Sequence, residues 1–331
     1  MRDGMSHRER VFAALAGAEV DRPPVSMWRH HFAREHSADD LADAMLAYQR
    51  RFDWDFIKVN PRWSYHVEPW GTTVEYPAPD AEPHLVSAPV ADVSDWARIE
   101  PVGLDHPALA EQLRVLELIG AGIGREVPFL ATVFTPVSIA GRLTPSADAL
   151  MPYLREHTEA MNGALEAICE TFTAFAIAAL NRGASGLFYA TTGFATTDAL
   201  TPEEHCRLVR RWDLRLLDAA QGAEFNVLHV CRAHNMLTEL RDYPVHAFNW
   251  DAHGEGNPGL EEGRAALGGA AVIGGVAHGQ PLAQASAVEV RAEMGGLRAE
   301  MGDRGWMAGP GCTYMPETPE GNVEAVRSAF R

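Results

Sequence analysis

The segment from Asn226 to Asn235, NVLHVCRAHN, places a histidine and a cysteine at the end of a short apolar run. Side chains two residues apart point to the same face of an extended strand, so we expect His229 and Cys231 to lie side by side. Imidazole nitrogen and thiolate sulfur are both ligands of Zn²⁺. The pair alone also fits a structural histidine beside an inert core cysteine, because free cysteine behaves as a small hydrophobic residue.

A further sulfur ligand is Cys312, which ends the sequence GPGC at 309–312, after the last predicted strand. In a closed parallel barrel, the loops after the fifth and eighth strands face the same mouth. Cys312 would then join His229 and Cys231, and three protein ligands with an exchangeable fourth position are typical of catalytic zinc. We therefore predict a zinc site, with water, a substrate thiol or a carboxylate such as that of Glu68 in fourth position.

Two other features have a weaker chemical interpretation. Cys169 and Cys206 lie inside predicted helices and are expected to be packing residues. The string DAHGEG at 251–256 fits the D-x-H-x-x-G pattern of corrinoid-binding domains. No Ser-x-Leu element follows it at suitable spacing, and 331 residues leave no room for a barrel plus a corrinoid domain. We interpret the string as a glycine-rich loop.

The elements that must position these residues are short apolar, β-branched or aromatic runs that alternate with longer helical patterns. The predicted strands are 24–32, 55–60, 128–134, 186–192, 225–231, 246–250, 271–277 and 305–312. Helix starts are indicated at Ser146, at Thr201 (a capping box with Glu204) and at Thr318-Pro319.

Eight strands alternating with helices predict an α/β fold, a (β/α)8 TIM barrel formed by residues 1–331 as a single domain. A doubly wound open sheet is the competitor, but no glycine-rich phosphate turn follows the first strand. The segment 61–104 is too long for a plain connection and is rich in Trp, Tyr and Pro. It is predicted to be a folded insertion after the second strand, near the mouth of the barrel.

Four polar residues at or near the predicted strand ends are expected to bind substrate: Arg29, Asn60, His278 and, depending on the register of the fourth strand, Tyr189. Functional residues of TIM barrels cluster at the carboxyl ends of the strands. Arg29 stands in an otherwise apolar strand, and it is either a surface residue at the barrel end or an anion clamp for a carboxylate or sulfonate.

Composition and charge narrow the class of protein. With 331 residues, of which 47% are hydrophobic, the chain can bury a large core. A formal net charge of −17 disfavours nucleic acid or an anionic membrane as partner. The amino-terminal segment has no apolar core of signal-peptide length, and the longest apolar stretch is interrupted from Asn181 onward. With four cysteines, a disulfide-stapled secreted fold is disfavoured, and we expect a cytoplasmic protein.

Several segments together resemble the uroporphyrinogen decarboxylase superfamily, in chain order and over nearly the full length. They are RERVFAALAGAEVDRPPV (8–25), LHVC (228–231), FNWD (248–251) and GPGCTYMPETPEGNVEAV (309–326). The resemblance implies a (β/α)8 barrel, in agreement with the pattern of predicted elements. It also implies one of two branches with different chemistry.

True decarboxylases of this superfamily bind a porphyrinogen through arginines near the first strand and use an aspartate after the second. The matching segments here, SMWRHHFARE and DWDFIKVNP, retain Arg29 but have Asn60 where the aspartate is expected. An amide lacks the charge that would stabilise a protonated pyrrole intermediate. The resemblance therefore disfavours decarboxylation of uroporphyrinogen.

The other branch comprises zinc methyltransferases similar to methylcobalamin:coenzyme M methyltransferase. Their His-x-Cys and distant Cys correspond to His229, Cys231 and Cys312. In that branch zinc lowers the pKa of an acceptor thiol, which takes a methyl group from a separate corrinoid protein. The resemblance thus implies a zinc-dependent methyl or alkyl transferase with a small-molecule substrate and a corrinoid donor. A decarboxylase or lyase acting on another carboxylated substrate is the alternative.

Overall fold

The computed structural model describes residues 4–331 of the chain. Its centre is a sheet of seven parallel strands, each hydrogen-bonded to the next along the chain. In spatial order the strands are β1 (Ile57–Val59), β4 (Phe129–Phe134), β5 (Gly186–Ala190), β6 (Val227–Val230), β7 (Ala247–Trp250), β8 (Ala271–Val276) and β9 (Trp306–Pro310). Seven of the predicted strands are confirmed, with ends that differ by at most two residues.

The predicted first strand, 24–32, is not a regular strand. Its extended start nevertheless contacts both edges of the sheet: Val25 pairs in parallel with Ala308 of β9, and its carbonyl accepts a hydrogen bond of 3.0 Å from the amide of Asp55, just before β1. The Ser26 hydroxyl donates to the carbonyl of Phe56. The sheet is therefore curled, and its two edges meet at this segment, as in a TIM barrel.

The insertion at 61–104 is present after β1. It contains an antiparallel hairpin of β2 (Thr73–Glu75) and β3 (His84–Ser87) and two 3₁₀ segments, Glu68–Trp70 and Val93–Arg98. The hairpin strands are mostly exposed, whereas Tyr65, His66 and Val67 are buried against the sheet. The insertion is thus anchored at its start and forms part of the wall at one end of the sheet.

Helices lie between the strands and cover the outside of the sheet. They are α1 (His7–Leu15), α2 (Ala38–Phe52), α3 (Pro107–Ile123), α4 (Pro136–Arg142), α5 (Ala147–Glu156), α6 (Thr158–Asn181), α7 (Pro202–Leu208), α8 (Arg210–Asp218), α9 (Leu260–Ala266), α10 (Gln280–Gln284), α11 (Ala287–Met301) and α12 (Glu320–Ala329). A further 3₁₀ turn spans Phe32–Arg34.

Two of the three predicted helix starts are confirmed, and the third lies one residue later, since α12 begins at Glu320 with Pro319 as its N-cap. Ser146 caps α5, and Thr201 forms a capping box with Glu204 at the start of α7. The pattern after Ser146 forms two helices rather than one, since α5 ends before His157, and the pattern after Thr201 breaks at Val209.

Helix α6 is the longest apolar element. By length and composition alone it could cross a membrane, but 61% of its most apolar 18-residue window is buried within the protein. Buried phenylalanines and alanines along α6 pack into the main hydrophobic core. The burial of α6 is that of a core helix, and its length and apolar composition are only weak evidence for a membrane span.

Candidate metal centre

Three ligand side chains converge where β6 and β9 end. One donor atom each from His229, Cys231 and Cys312 lies within 4.8 Å of the other two. Zinc bonds of about 2.3 Å to sulfur and 2.0–2.1 Å to nitrogen hold ligand atoms roughly 3.5–4 Å apart, so the three can share one ion after a small adjustment. The donor set and the spacing both fit Zn²⁺.

The backbone explains why the cysteines reach this point. His229 lies within β6, and Cys231 follows its last residue; the chain then turns sharply at Arg232, whose φ of 83° is uncommon for a residue other than glycine. Cys312 follows β9 after Gly311. A Cβ on Gly311 would lie 2.7 Å from the Cα of Asp251, so a glycine is required for the close approach that brings Cys312 inward.

The imidazole of His229 is oriented by Asn249 of β7. Its Nδ1 lies 2.6 Å from the Oδ1 of Asn249, and its ring stacks on Phe188 with centroids 5.2 Å apart. Because Nδ1 faces an acceptor, Nε2 is left as the nitrogen with a free lone pair. Most metal-binding histidines make such a hydrogen bond with the ring nitrogen that does not bind the metal.

The two thiols differ in their tendency to ionise. Contact with the Cys231 thiol lowers the pKa of Cys312 well below its usual range, and burial acts in the opposite direction. The same contact and burial raise the pKa of Cys231. The contact between the two sulfurs therefore favours ionisation of Cys312, and a thiolate is the form that binds zinc.

The triad lies in the wall of a cavity of about 630 Å³. Aromatic rings form much of the rest of the wall: Trp28, Phe32, Trp63, Phe134, Phe188 and Tyr314. A cavity of this size and character holds a small organic molecule rather than a single ion.

Three basic residues that were not predicted from the sequence also line the cavity: Lys58, Arg142 and Arg232. Lys58 of β1 is buried, and its ammonium lies 5.0 Å from the centre of the Phe188 ring. The Arg142 guanidinium lies over the Trp63 ring at 4.3 Å. Within residues 4–331, neither the Lys58 nor the Arg142 side chain lies within ion-pair distance of a carboxylate or donates a hydrogen bond, although Glu82, which also lines the cavity, raises the pKa of Arg142.

Burial affects both of these groups. Burial lowers the pKa of Lys58 to about 7, against the raising effect of Cys312 and Cys231. Burial likewise lowers the pKa of Arg142. Each group would gain from a negatively charged partner in the cavity, because desolvation disfavours an unpaired cation.

A histidine and a buried glutamate form a second polar group in the wall. His30 lines the cavity, stacks on Phe32 and has its Nδ1 3.4 Å from Oε2 of Glu35. The other oxygen of Glu35 accepts hydrogen bonds from the Trp63 amide and the Tyr76 hydroxyl, both in the insertion. The insertion therefore helps to position a cavity residue. The HH pair in the sequence was a visible signal for His30.

Arg29 does not lie where the anion-clamp interpretation requires. Along 24–32 side chains alternate, and since Trp28 and His30 face the cavity, Arg29 faces the outer layer near Tyr48 of α2. Its guanidinium donates to the carbonyl of Pro316. The structure therefore does not bring the Arg29 side chain into the cavity of the triad.

Of the other predicted substrate-binding residues, one lines the cavity and two do not. His278 lines the cavity, with its Nδ1 3.8 Å from Asp251. Asn60 is buried behind the wall and donates to Thr313, which does line it. Tyr189 is not brought to the cavity: it points outward from β5, is fully buried, and its hydroxyl lies 3.3 Å from the carboxylate of Asp213.

Two further expectations concern possible ligands. Glu68 does not approach the triad, because its carboxylate is paired with Arg62 at 2.8 Å and bonded to Ser64. His253 of the DAHGEG string has its Nε2 3.1 Å from the carbonyl of Gly275, which lies in β8. The string is a loop of the barrel-like fold, as expected. Cys169 is buried in α6, as expected for a packing residue, whereas Cys206 is exposed on α7 and that expectation is wrong for it; both lie away from the triad.

Comparison with known families decides the affiliation of the chain. The model of the uroporphyrinogen decarboxylase family matches residues 6–331. The chain belongs to the uroporphyrinogen decarboxylase family. Among curated protein sequences, none matched.

Solved structures support the fold. A methyltransferase from Methanosarcina mazei superposes with a TM-score of 0.80 at 20% identity, covering 98% of both chains. A putative vitamin-B12 independent methionine synthase from Listeria monocytogenes superposes with a TM-score of 0.57 at 13% identity, covering 93% of this family member and 94% of that chain. At these identities the likeness concerns the fold.

Proposed function

We propose that this protein is a zinc-dependent methyl or alkyl transferase that activates an acceptor thiol. The observation that carries the proposal is the convergence of His229, Cys231 and Cys312 in the wall of an organic-sized cavity, with the imidazole already oriented by Asn249. A structural zinc site is closed by four protein ligands, whereas this set supplies three.

The residues present fit the metal. His229, Cys231 and Cys312 would hold Zn²⁺, which when bound supplies a Lewis acid that lowers the pKa of the acceptor thiol. Two cysteine sulfurs and an imidazole suit a soft sulfur acceptor. The acceptor loses its proton, its sulfur forms a bond to the methyl carbon, and the donor–methyl bond breaks with its electron pair retained by the donor. We propose a corrinoid protein or a related methyl carrier as donor.

The acceptor, we further propose, carries an acidic group. Lys58 and Arg142 line the cavity, and within the described residues neither lies within ion-pair distance of a carboxylate, although Glu82 acts on Arg142 from farther away. They would bind a carboxylate, sulfonate or phosphate of the substrate, the role first expected of Arg29. The aromatic rings around Phe188 limit the access of water to the reacting sulfur.

The alternative, a decarboxylase or lyase without metal, has less support. Asn60 is a neutral amide buried behind the wall, and Arg29 faces the outer layer, so neither supplies the charge expected of the decarboxylase branch.

We also propose that the chain acts as one domain, a TIM barrel whose eighth position is taken by the extended start of 24–32. We place it in the cytoplasm and propose that it has no nucleic acid or membrane partner.

Methyl transfer from free methylcobalamin to simple thiols tests the proposal. Zinc-loaded protein should convert mercaptoacetate to its S-methyl thioether, detected by mass spectrometry, with loss of the methylcobalamin absorbance. Protein stripped with a chelator should lose this activity and regain it when zinc is restored. Equal turnover by stripped and loaded protein would contradict the proposal.

A further inference from the structure

Asn249 occupies a junction between the strands that carry the metal ligands. It is fully buried in β7. Its Oδ1 lies 2.6 Å from Nδ1 of His229, while its Nδ2 donates to the carbonyls of Ile273 at 2.9 Å and Pro310 at 3.1 Å. One amide thus connects β6, β8 and β9.

The two carbonyls determine which way the amide points. A carbonyl oxygen only accepts hydrogen bonds, so the NH₂ group of Asn249 must face Ile273 and Pro310. A flipped amide would place its oxygen against two carbonyl oxygens in a buried site, at the cost of two unsatisfied acceptors. Oδ1 therefore faces His229, and the Nδ1 of His229 must carry a proton.

The consequence for His229 is a single tautomer. With the proton held on Nδ1, the Nε2 lone pair is directed away from Asn249 and is available to a metal. The bond to Pro310 adds a second constraint, because Cys312 follows Pro310 by two residues. The same side chain thus orients one ligand and holds the strand end that precedes another.

We infer that Asn249 is a positioning residue that prepares the metal site before the metal binds. It selects the metal-binding tautomer of His229 and couples this ring to the end of β9. The inference rests on the proposed function for the identity of the metal, but its claim about the tautomer concerns the metal-free protein.

Substitutions at Asn249 separate this role from simple packing. Asn249→Ala removes the acceptor and both donors, and Asn249→Asp keeps an acceptor for His229 but cannot donate to the two carbonyls. The matched control is Asn226→Ala. Asn226 is also a fully buried asparagine of the sheet, and it bonds the Leu187 amide and the Ala220 carbonyl, away from the triad.

The first measurement is the imidazole nitrogen NMR spectrum of the metal-free protein. We expect His229 to be protonated on Nδ1 in the parent protein, in Asn249→Asp and in Asn226→Ala, and to lose this single tautomer in Asn249→Ala. A parent protein with His229 protonated on Nε2 would overturn the inference, even if the alanine variant failed to fold.

The second measurement is zinc affinity by competition with a chromophoric chelator. Asn249→Ala should bind zinc roughly 10–100-fold more weakly, the usual effect of removing an outer-shell partner, and Asn226→Ala should not. Unchanged affinity in folded Asn249→Ala would overturn the inference. A parent protein that bound no zinc but showed the Nδ1 tautomer would count against the proposed function and leave the positioning role intact.

Discussion

Lys58 and Arg142 are basic residues in the inner wall of a cavity that Arg232, Asp80, Glu82 and Glu317 also line. Both line the wall that also contains Cys231 and Cys312. A buried cation without a carboxylate partner is costly, so its presence in a cavity indicates a ligand that supplies the opposite charge.

Arg142→Met should weaken the binding of acidic acceptors selectively. Loss of a hydrogen bond to a charged group costs about 1.5–3 kcal/mol, so the KM for mercaptoacetate should rise roughly 10–100-fold. The KM for the neutral thiol 2-mercaptoethanol should change little. Steady-state assays with methylcobalamin measure both, and Arg155→Met, at an exposed pair with Glu204, is the control. Equal increases for the two thiols would contradict an anionic acceptor.

The convergence of His229, Cys231 and Cys312 could be predicted from the sequence. Cys231 and Cys312 each follow the end of a strand, and these ends lie at one mouth of the sheet whatever the register. The directions of Arg29 and Tyr189 could not be predicted, since they depend on which alternate residues of a strand face inward. Strands of a parallel sheet are apolar on both faces, so the sequence gives no inward or outward pattern. Lys58, like Arg29, is a basic residue in an otherwise apolar strand. Its side chain faces the cavity, whereas that of Arg29 faces the outer layer.

Between β5 and the outer helices, a buried carboxylate is held by two tyrosines. Asp213 of α8 has no exposed surface and accepts hydrogen bonds from Tyr243 at 3.0 Å and Tyr189 at 3.3 Å. Burial raises the pKa of Asp213 to about 7, against the lowering effect of both hydroxyls. This contact ties the helix to the sheet in a pH-dependent way.

Asp213→Asn should flatten the pH dependence of stability between about 4 and 7. The folded pKa of Asp213 is raised above the unfolded value of about 4, so its stabilising contribution is complete below pH 4 and is lost as the pH rises through 7. An amide does not titrate, and the asparagine variant should lack this loss, on the order of a few kcal/mol. Urea unfolding at several pH values measures the effect.

The control for this experiment is Asp218→Asn, at an exposed position of the same helix. Its pH profile should follow that of the parent protein. An Asp213→Asn profile that also followed the parent between pH 4 and 7 would show that Asp213 is not the group responsible.

Elements with strong local signals were predicted well. The Ser146 and Thr201 caps are visible because hydroxyl and glutamate side chains at helix starts bond backbone amides irrespective of the tertiary fold. The first strand was predicted from the same apolar pattern as the others. Its side chains do alternate, but only Val25 pairs in register, because the chain leaves the sheet edge toward the 3₁₀ turn at Phe32–Arg34.

An ion network at the amino-terminal side of the sheet joins α1 and residues 22–25 to Asp55, just before β1. The carboxylate of Asp55 has no exposed surface and is bonded by His7 at 2.9 Å, Arg10 at 2.6 Å, Arg22 at 2.6 Å and the Val25 amide at 2.8 Å. These partners come from α1 and from the extended segment that meets both sheet edges. The DRPPV motif therefore contributes to the joining of the sheet.

Asp55→Asn should destabilise the protein strongly. Removing one partner of a buried charge network costs about 3–5 kcal/mol, whereas Glu224→Gln, which breaks the exposed pair with Arg8, should cost about 0–1 kcal/mol. Chemical unfolding at neutral pH compares the two variants. Similar losses would show that the network adds no more than a surface pair.

The pH dependence of this network is opposite to that of Asp213. Burial alone would raise the pKa of Asp55, but hydrogen bonds from His7 and Arg22 lower it well below its usual range. Its contribution is therefore present above pH about 4 and is lost as the pH falls below that value. The Asp55→Asn variant should lack this part of acid destabilisation.

Zinc content after dialysis tests most directly whether His229, Cys231 and Cys312 form a zinc site. The parent protein and Cys206→Ser, which alters an exposed cysteine outside the triad, should each retain about one zinc per chain. Cys312→Ser should lose most of its zinc while keeping the circular dichroism spectrum of the parent, because a neutral hydroxyl is a poor substitute for a thiolate. Full zinc in Cys312→Ser, or none in the parent protein, would contradict the account.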